Sequence, residues 1–141
     1  MGILNINNNM EEIKTFAELT KGDIIYTLEG CIKDKKVCIK PLIVKDKHVN
    51  DYGHYHSTYQ QDIRYSIELS NEDGSWNNSI TVNITEATST IFDNMFFTMK
   101  EEAIERANIL IDEEIKKVKE EVKSLLDIIA DLNNCKESLN K

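Results

Sequence analysis

The sequence predicts an α+β fold, a small antiparallel sheet or partly open β-barrel followed by a long C-terminal α-helix. Short stretches rich in β-branched and aromatic residues recur between residues 20 and 97 with turn residues between them. Two of these stretches alternate strictly between apolar and polar side chains, as half-buried antiparallel strands do. From Thr98 to about Leu132 the chain then runs strongly charged, without a Gly or Pro. Three parts follow: residues 1–19, a loose N-terminal arm and a short helical turn; 20–97, the β-domain; and 98–141, an amphipathic helix resembling a coiled-coil strand.

Residues 1–10 are polar and Asn-rich. From Glu11 to Leu19, Ile13, Phe16 and Leu19 repeat every third residue, which predicts one helical turn. Lys21-Gly22-Asp23 is a turn signal. The first strand is predicted over Asp23 to Leu28. A second, Lys36 to Lys45, carries Val37, Ile39 and Ile43, and Pro41 marks it as an edge or bulged strand, because proline has no N–H for the ladder. His48 to Gln61 reads as a long loop. Strand three, Ile63 to Leu69, and strand four, Ile80 to Ile84, place Ile63, Tyr65, Ile67, Ile80, Val82 and Ile84 on an inward face, with Asn71-Glu72-Asp73-Gly74-Ser75 as the hairpin between them. A fifth strand is expected from Thr90 to Phe97. Thr98-Met99-Lys100-Glu101 then has the form of a capping box opening the helix, and Glu101, Glu102 and Glu105 lie near its positive end.

At 1.5 Å per residue the helix is about 50 Å long, whereas the folded part of so small a chain is about 30 Å across. Its far end therefore lacks its own domain to pack on. From Ile111 the apolar residues Ile111, Ile115, Val118, Val122, Leu125, Ile129 and Leu132 alternate four and three apart, a heptad seam. With Ile115, Val122 and Ile129 at a, every a position is β-branched, which is compatible with a parallel two-stranded coil, and Glu114 at g precedes Lys119 at the following e. Leu126 and Ile128 are apolar at e and g, so the stripe widens toward the C-terminus and favours a higher oligomer or another protein's surface there. These nine residues form the candidate partner or oligomer interface. The competing reading is an amphipathic helix folded onto its own sheet, which suits Ile104, Ala107 and Leu110.

The net charge is −8, divided as −5 over residues 1–97 and −3 over 98–141. The basic residues are fifteen Lys and two Arg, and Arg is the side chain that forks onto guanine edges and phosphates. Nucleic acid is therefore disfavoured as a partner. Lys33, Lys35, Lys36, Lys40, Lys45 and Lys47 crowd one hairpin, either as a weak phosphate-contacting face or as an edge protected against aggregation. No run approaches the roughly 20 apolar residues of a membrane helix. The opening Met1 to Ile6 has no secretory-signal pattern. Three unclustered cysteines fit a reducing cytoplasm.

Tyr52, His54, Tyr55, His56 and Tyr59 form a candidate recognition loop, in which aromatic bodies with polar tips suit a binding surface or alternatively close one end of the barrel. The H-x-H pair and the six-residue spacing from Cys31 to Cys38 do not match a closed zinc site, so no metal is expected. Neither a nucleotide loop nor a catalytic triad pattern occurs in the sequence, which predicts no cofactor, no catalytic residue and no enzymatic activity.

The stretch Phe16-Ala17-Glu18-Leu19-Thr20-Lys21-Gly22-Asp23-Ile24-Ile25-Tyr26 resembles the lead-in of many small β-barrel modules. Phe96-Phe97-Thr98-Met99-Lys100-Glu101-Glu102-Ala103 resembles the strand-to-helix junction of small phage and bacterial accessory proteins. The resemblance implies a phage-type accessory protein, in the host cytoplasm or the virion. The expected function is a non-enzymatic assembly or adaptor module using its C-terminal helix for oligomer or partner contacts. The alternatives are an acidic phage inhibitor of a host defence enzyme and a weak nucleic-acid-binding barrel.

Overall fold

The computed structural model describes residues 13–54, 61–75 and 77–141, His54 by its backbone alone. These residues form six antiparallel strands in a curled half-barrel and one long helix, the α+β architecture the sequence predicts. The strands are β1 (Ile24–Cys31), β2 (Lys36–His54), β3 (Gln61–Ser70), β4 (Asn77–Asn83), β5 (Ile91–Phe92) and β6 (Phe96–Phe97), and the helix is α1 (Lys100–Leu139). The sheet order is β4-β3-β2-β1-β6-β5.

β2 organises the sheet because its two halves serve different neighbours. Residues 36–43 pair with β1, from Cys31↔Lys36 to Ile24↔Ile43, and the pairing with β3 begins at Ile43↔Ser70. Pro41 lies opposite Tyr26 in the first half, where β2 has no pairing on its other side. A proline is accommodated there although β2 is central in the sheet order, since no ladder bond is asked of its nitrogen. The bulge lies a few residues on, between Val44 and Asp46.

His48 to Gln61 is not the long loop the sequence suggests. β2 continues to His54 and β3 starts at Gln61, so only residues 55–60 connect them. Val49, Asn50, Asp51 and Tyr52 show no apolar alternation, and it is the regular face of β3 that holds them in register.

The alternation in β3 and β4 builds the core. Ile67, Leu69, Ile80 and Val82 are buried with Ile25, Leu42 and Val44, while Ile63 and Tyr65 are half-buried. Ile84 departs from the expectation: β4 ends at Asn83, and Ile84 is exposed. The predicted hairpin turn is present, with Gly74 at φ 84°.

The segment before β1 closes the concave side. Its helical turn is a 3-10 turn, Phe16–Glu18, with Phe16 and Leu19 buried in the core. The Phe16 and Ala17 amides donate to the carbonyls of Ser89 and Ala87, at 3.1 and 2.8 Å. Lys47, on the inner face, donates from Nζ to the Ala17 carbonyl and to that of Leu19 at 3.0 Å, and lies 4.4 Å from the Tyr65 ring centroid. Burial lowers its pKa, with Asp23 opposing that shift.

Thr90 to Phe97 is a two-stranded hairpin and not one strand. Asp93 and Asn94 take φ of 58° and 54°, and the Met95 amide donates to the Phe92 carbonyl at 3.1 Å. Short polar side chains tolerate two consecutive left-handed residues, which the apolar neighbours conceal in a pattern search. The helix start also shifts by one residue. Met99 is the N-cap, and the Thr98–Glu101 box does not form. The Thr98 amide is tied to the Thr90 carbonyl at 2.9 Å, and the buried Thr98 hydroxyl has no partner among the described residues. The Thr90 hydroxyl donates instead to Glu102, at 2.7 Å. A box of the expected kind occurs earlier, where Glu18 accepts from the Thr15 amide and hydroxyl at 3.1 and 2.9 Å.

Candidate functional site

α1 has forty residues and extends about 60 Å. Its first turns lie on the sheet through one stripe, with Ala103 and Ala107 buried and Leu110 and Glu114 half-buried, at spacings of four, three and four. Small side chains let the helix approach closely, and the stripe ends where the sheet ends. Ile104, on a neighbouring face, is exposed.

From Ile115 to Leu139 every residue is exposed, over a length of ~37 Å. The nine predicted interface residues, Ile111, Ile115, Val118, Val122, Leu125, Leu126, Ile128, Ile129 and Leu132, are between 37% and 63% exposed. Leu139, at the next d position, is 86% exposed and was not anticipated. No helix is long and apolar enough to cross a membrane among the described residues.

The β1–β2 hairpin reaches this stripe at its base. Gly30 takes φ 100°, and a Cβ there would lie 1.8 Å from the Lys36 carbonyl oxygen, so only glycine fits. Lys35 is also left-handed, at φ 61°, and the Lys35 amide donates to the Ile32 carbonyl at 2.9 Å. This tight tip carries Ile32 and Val37 to one side of a groove of about 540 Å³, whose other wall is Ile111, Ile115 and Val118. Lys33, Lys35, Glu114 and Lys119 rim it. None of the ion pairs among the described residues engages Lys33, Lys35 or Lys119. The sequence shows each apolar residue of this groove but not their meeting, which depends on the hairpin's reach.

The lysine-rich hairpin does not present one basic face. Lys40 lies 3.5 Å from Glu29, Lys45 donates to Asn77 at 3.0 Å, Lys47 is turned inward, and Lys33 and Lys35 stand at the tip. Alternation along β2 and the bulge at Lys45 disperse charges that are neighbours in sequence.

Of the candidate recognition loop, Tyr52 is exposed, with the Arg64 guanidinium 5.5 Å from its ring centroid. Arg64 also forks onto Asp62, at 2.9 and 3.1 Å, and that contact raises its pKa. Tyr55, His56, Tyr59 and the His54 side chain lie outside the described residues.

Cys31, Cys38 and Cys135 are free and exposed. One cluster that spacing does not reveal arises across the β2–β3 ladder, where Asp46 opposes Glu68 and His48 follows on the same face. The donor atoms of the three lie within 4.8 Å of one another, and His48 Nε2 is 3.2 Å from Asp46. All three side chains are exposed, where water competes for every coordination position. No family model matches the chain, and neither a curated protein nor a solved structure matches it.

Proposed function

We propose that the protein is a non-enzymatic assembly module, of the phage accessory type that its junction sequences resemble, whose C-terminal helix joins copies of the chain. The observation that carries this is the exposed heptad stripe from Ile111 to Leu132, on a helix that leaves its sheet after Glu114. A continuous apolar seam of this length is a recognition surface, since single exposed apolar residues are ordinary and an ordered row of them is not. The seam matches itself in heptad spacing, which favours a second copy as its occupant. Dispersal of the hairpin lysines, with Arg64 held by Asp62, gives the nucleic-acid reading little support.

Multi-angle light scattering on the full chain tests the proposal. The expected result is a species of twice the chain mass or more at micromolar concentration. A monomer at high micromolar concentration refutes it.

A further inference from the structure

Resting on the assembly reading, we infer that the groove between the β1–β2 hairpin and α1 is the seat for residues 128–136 of a second copy's helix, which runs antiparallel to the first. In this arrangement Ile115 meets Leu132 of the second copy, Val118 meets Ile129, and Val122 meets Leu125. The parallel coil suggested by the heptads alone aligns each position with itself and leaves the groove to residues 111–118.

Width is the first reason. Over 111–118 the helix offers only its a and d residues, but Ile32 and Val37 extend that apolar surface sideways, on the flank of Glu114. An occupant therefore needs an apolar stripe broader than a seam. Residues 128–132 have one, because Ile128 adds a g position to Ile129 and Leu132. In the antiparallel register, Ile128 and Leu132 fall toward the hairpin flank. In a parallel pair the broad stripes of both copies would meet each other and leave part of Leu126 and Ile128 in water.

Charge is the second reason. Lys33 and Lys35 rim the groove without an ion pair among the described residues. In the antiparallel register Asp131, at c, falls on the hairpin flank beside Lys33 and Lys35, and Lys136 lies at the far end of the groove against Ile111. Asp131 thus complements the basic tip, whereas residues 111–118 bring both signs. Two-fold symmetry creates both contacts at once. Each sheet ends near residue 114 and the axis passes between residues 123 and 124, so the β-domains stand roughly 30 Å apart along the rod and do not collide.

The register places residue 114 of one chain beside residue 135 of the other, both at g positions outside the a/d seam. The test is a Cys31→Ser, Cys38→Ser, Glu114→Cys variant that keeps Cys135, oxidised mildly and digested for peptide mapping, with light scattering before oxidation. Residues 114 and 135 of one helix are ~31 Å apart, so any link between them is intermolecular. The expected result is a dimer whose main linked peptide joins 114 to 135. A dimer linked 114 to 114 or 135 to 135, or one that stays unlinked, overturns the antiparallel seat and leaves the assembly reading standing. A monomer overturns both. Lys33→Glu with Lys35→Glu is expected to weaken the dimer about tenfold, and adding Asp131→Lys to restore it; no weakening overturns the electrostatic part of the argument.

Discussion

Val122→Asp separates a seam between molecules from a core within one. Val122 is 49% exposed in the single chain, so an aspartate there stays hydrated and takes little from the fold of an isolated copy. In an assembly the same position is enclosed. Full burial of an aliphatic side chain stabilises by ~1.5 to 3 kcal/mol, and about half of Val122 remains to be buried, so each chain forfeits about 1 kcal/mol of association energy. A carboxylate without a partner adds about 1 to 3 kcal/mol per chain through lost hydration, or more if it stays charged. For a two-fold dimer the total is about 4 kcal/mol at the least, which weakens association by about a thousandfold. The assay is light scattering across a concentration series, with circular dichroism to confirm that helix and sheet persist. The reasoning is refuted if the variant keeps the wild-type mass, or if it unfolds as a monomer.

The remaining expectations concern the hairpin tip, the turn before β1 and the exposed cluster on β2 and β3. Gly30→Ala must move the Lys36 carbonyl out of a 1.8 Å clash, at a φ disfavoured for alanine, and should destabilise the protein by about 2 kcal/mol in chemical denaturation; an unchanged midpoint would show that the hairpin tip is free to shift. Asp23 accepts from the Thr20 amide at 2.8 Å and pairs with Lys14 at 3.0 Å; burial raises its pKa, but these contacts outweigh burial and leave it lowered. A depressed carboxylate stabilises fully above its ordinary value of 3.8, and this is lost as pH falls below that value through the native one. Asp23→Asn should therefore cost about 1 kcal/mol at pH 7 and progressively less below about pH 4, and a cost independent of pH would contradict this. Elemental analysis should find less than one equivalent of zinc, because Asp46, His48 and Glu68 are exposed ligands with no closed shell around them; a full equivalent that disappears in His48→Ala would establish a site there.

The parts of this fold legible in the sequence are those whose signal is periodic and local. Ile67, Ile80 and Val82 face the core because strand alternation admits one inward choice, and the heptad spacing marks the apolar stripe that stays exposed on the helix. Where a partner distant in sequence decides the outcome, the residues are silent. β2 runs on through Val49 to Tyr52 because β3 pairs with it, and Pro41 is tolerated in a central strand because β3 has not yet begun at that point. The Thr98 box fails because the Thr98 amide donates to the Thr90 carbonyl instead, while Thr15 and Glu18, with the same spacing, form theirs at the 3-10 turn. The exposed stripe residues are visible in the sequence, but the groove is not, since Ile32 and Val37 join Ile111 and Ile115 only through a hairpin whose reach depends on Gly30.

The composition of the exposed stripe is itself an argument for a partner. Most helical stability in proteins comes from packing of an apolar face and not from propensity, and Ile and Val rank below Ala, Leu, Lys and Glu as helix formers. The chain nevertheless places Ile115, Val118, Val122, Ile128 and Ile129 along the segment that its own sheet does not cover. On a solvated helix each is a small cost, and the charged pairs Asp112 to Lys116 and Glu113 to Lys117 recover only a few tenths of a kcal/mol apiece. The pattern becomes favourable once the stripe is enclosed, because stiff β-branched side chains lose little entropy on packing and fill a seam well. Ile128 sharpens the point. A two-helix seam leaves its g position at the margin, so an apolar residue there calls for a further surface, and in the antiparallel arrangement proposed above Ile32 and Val37 of a second copy supply it.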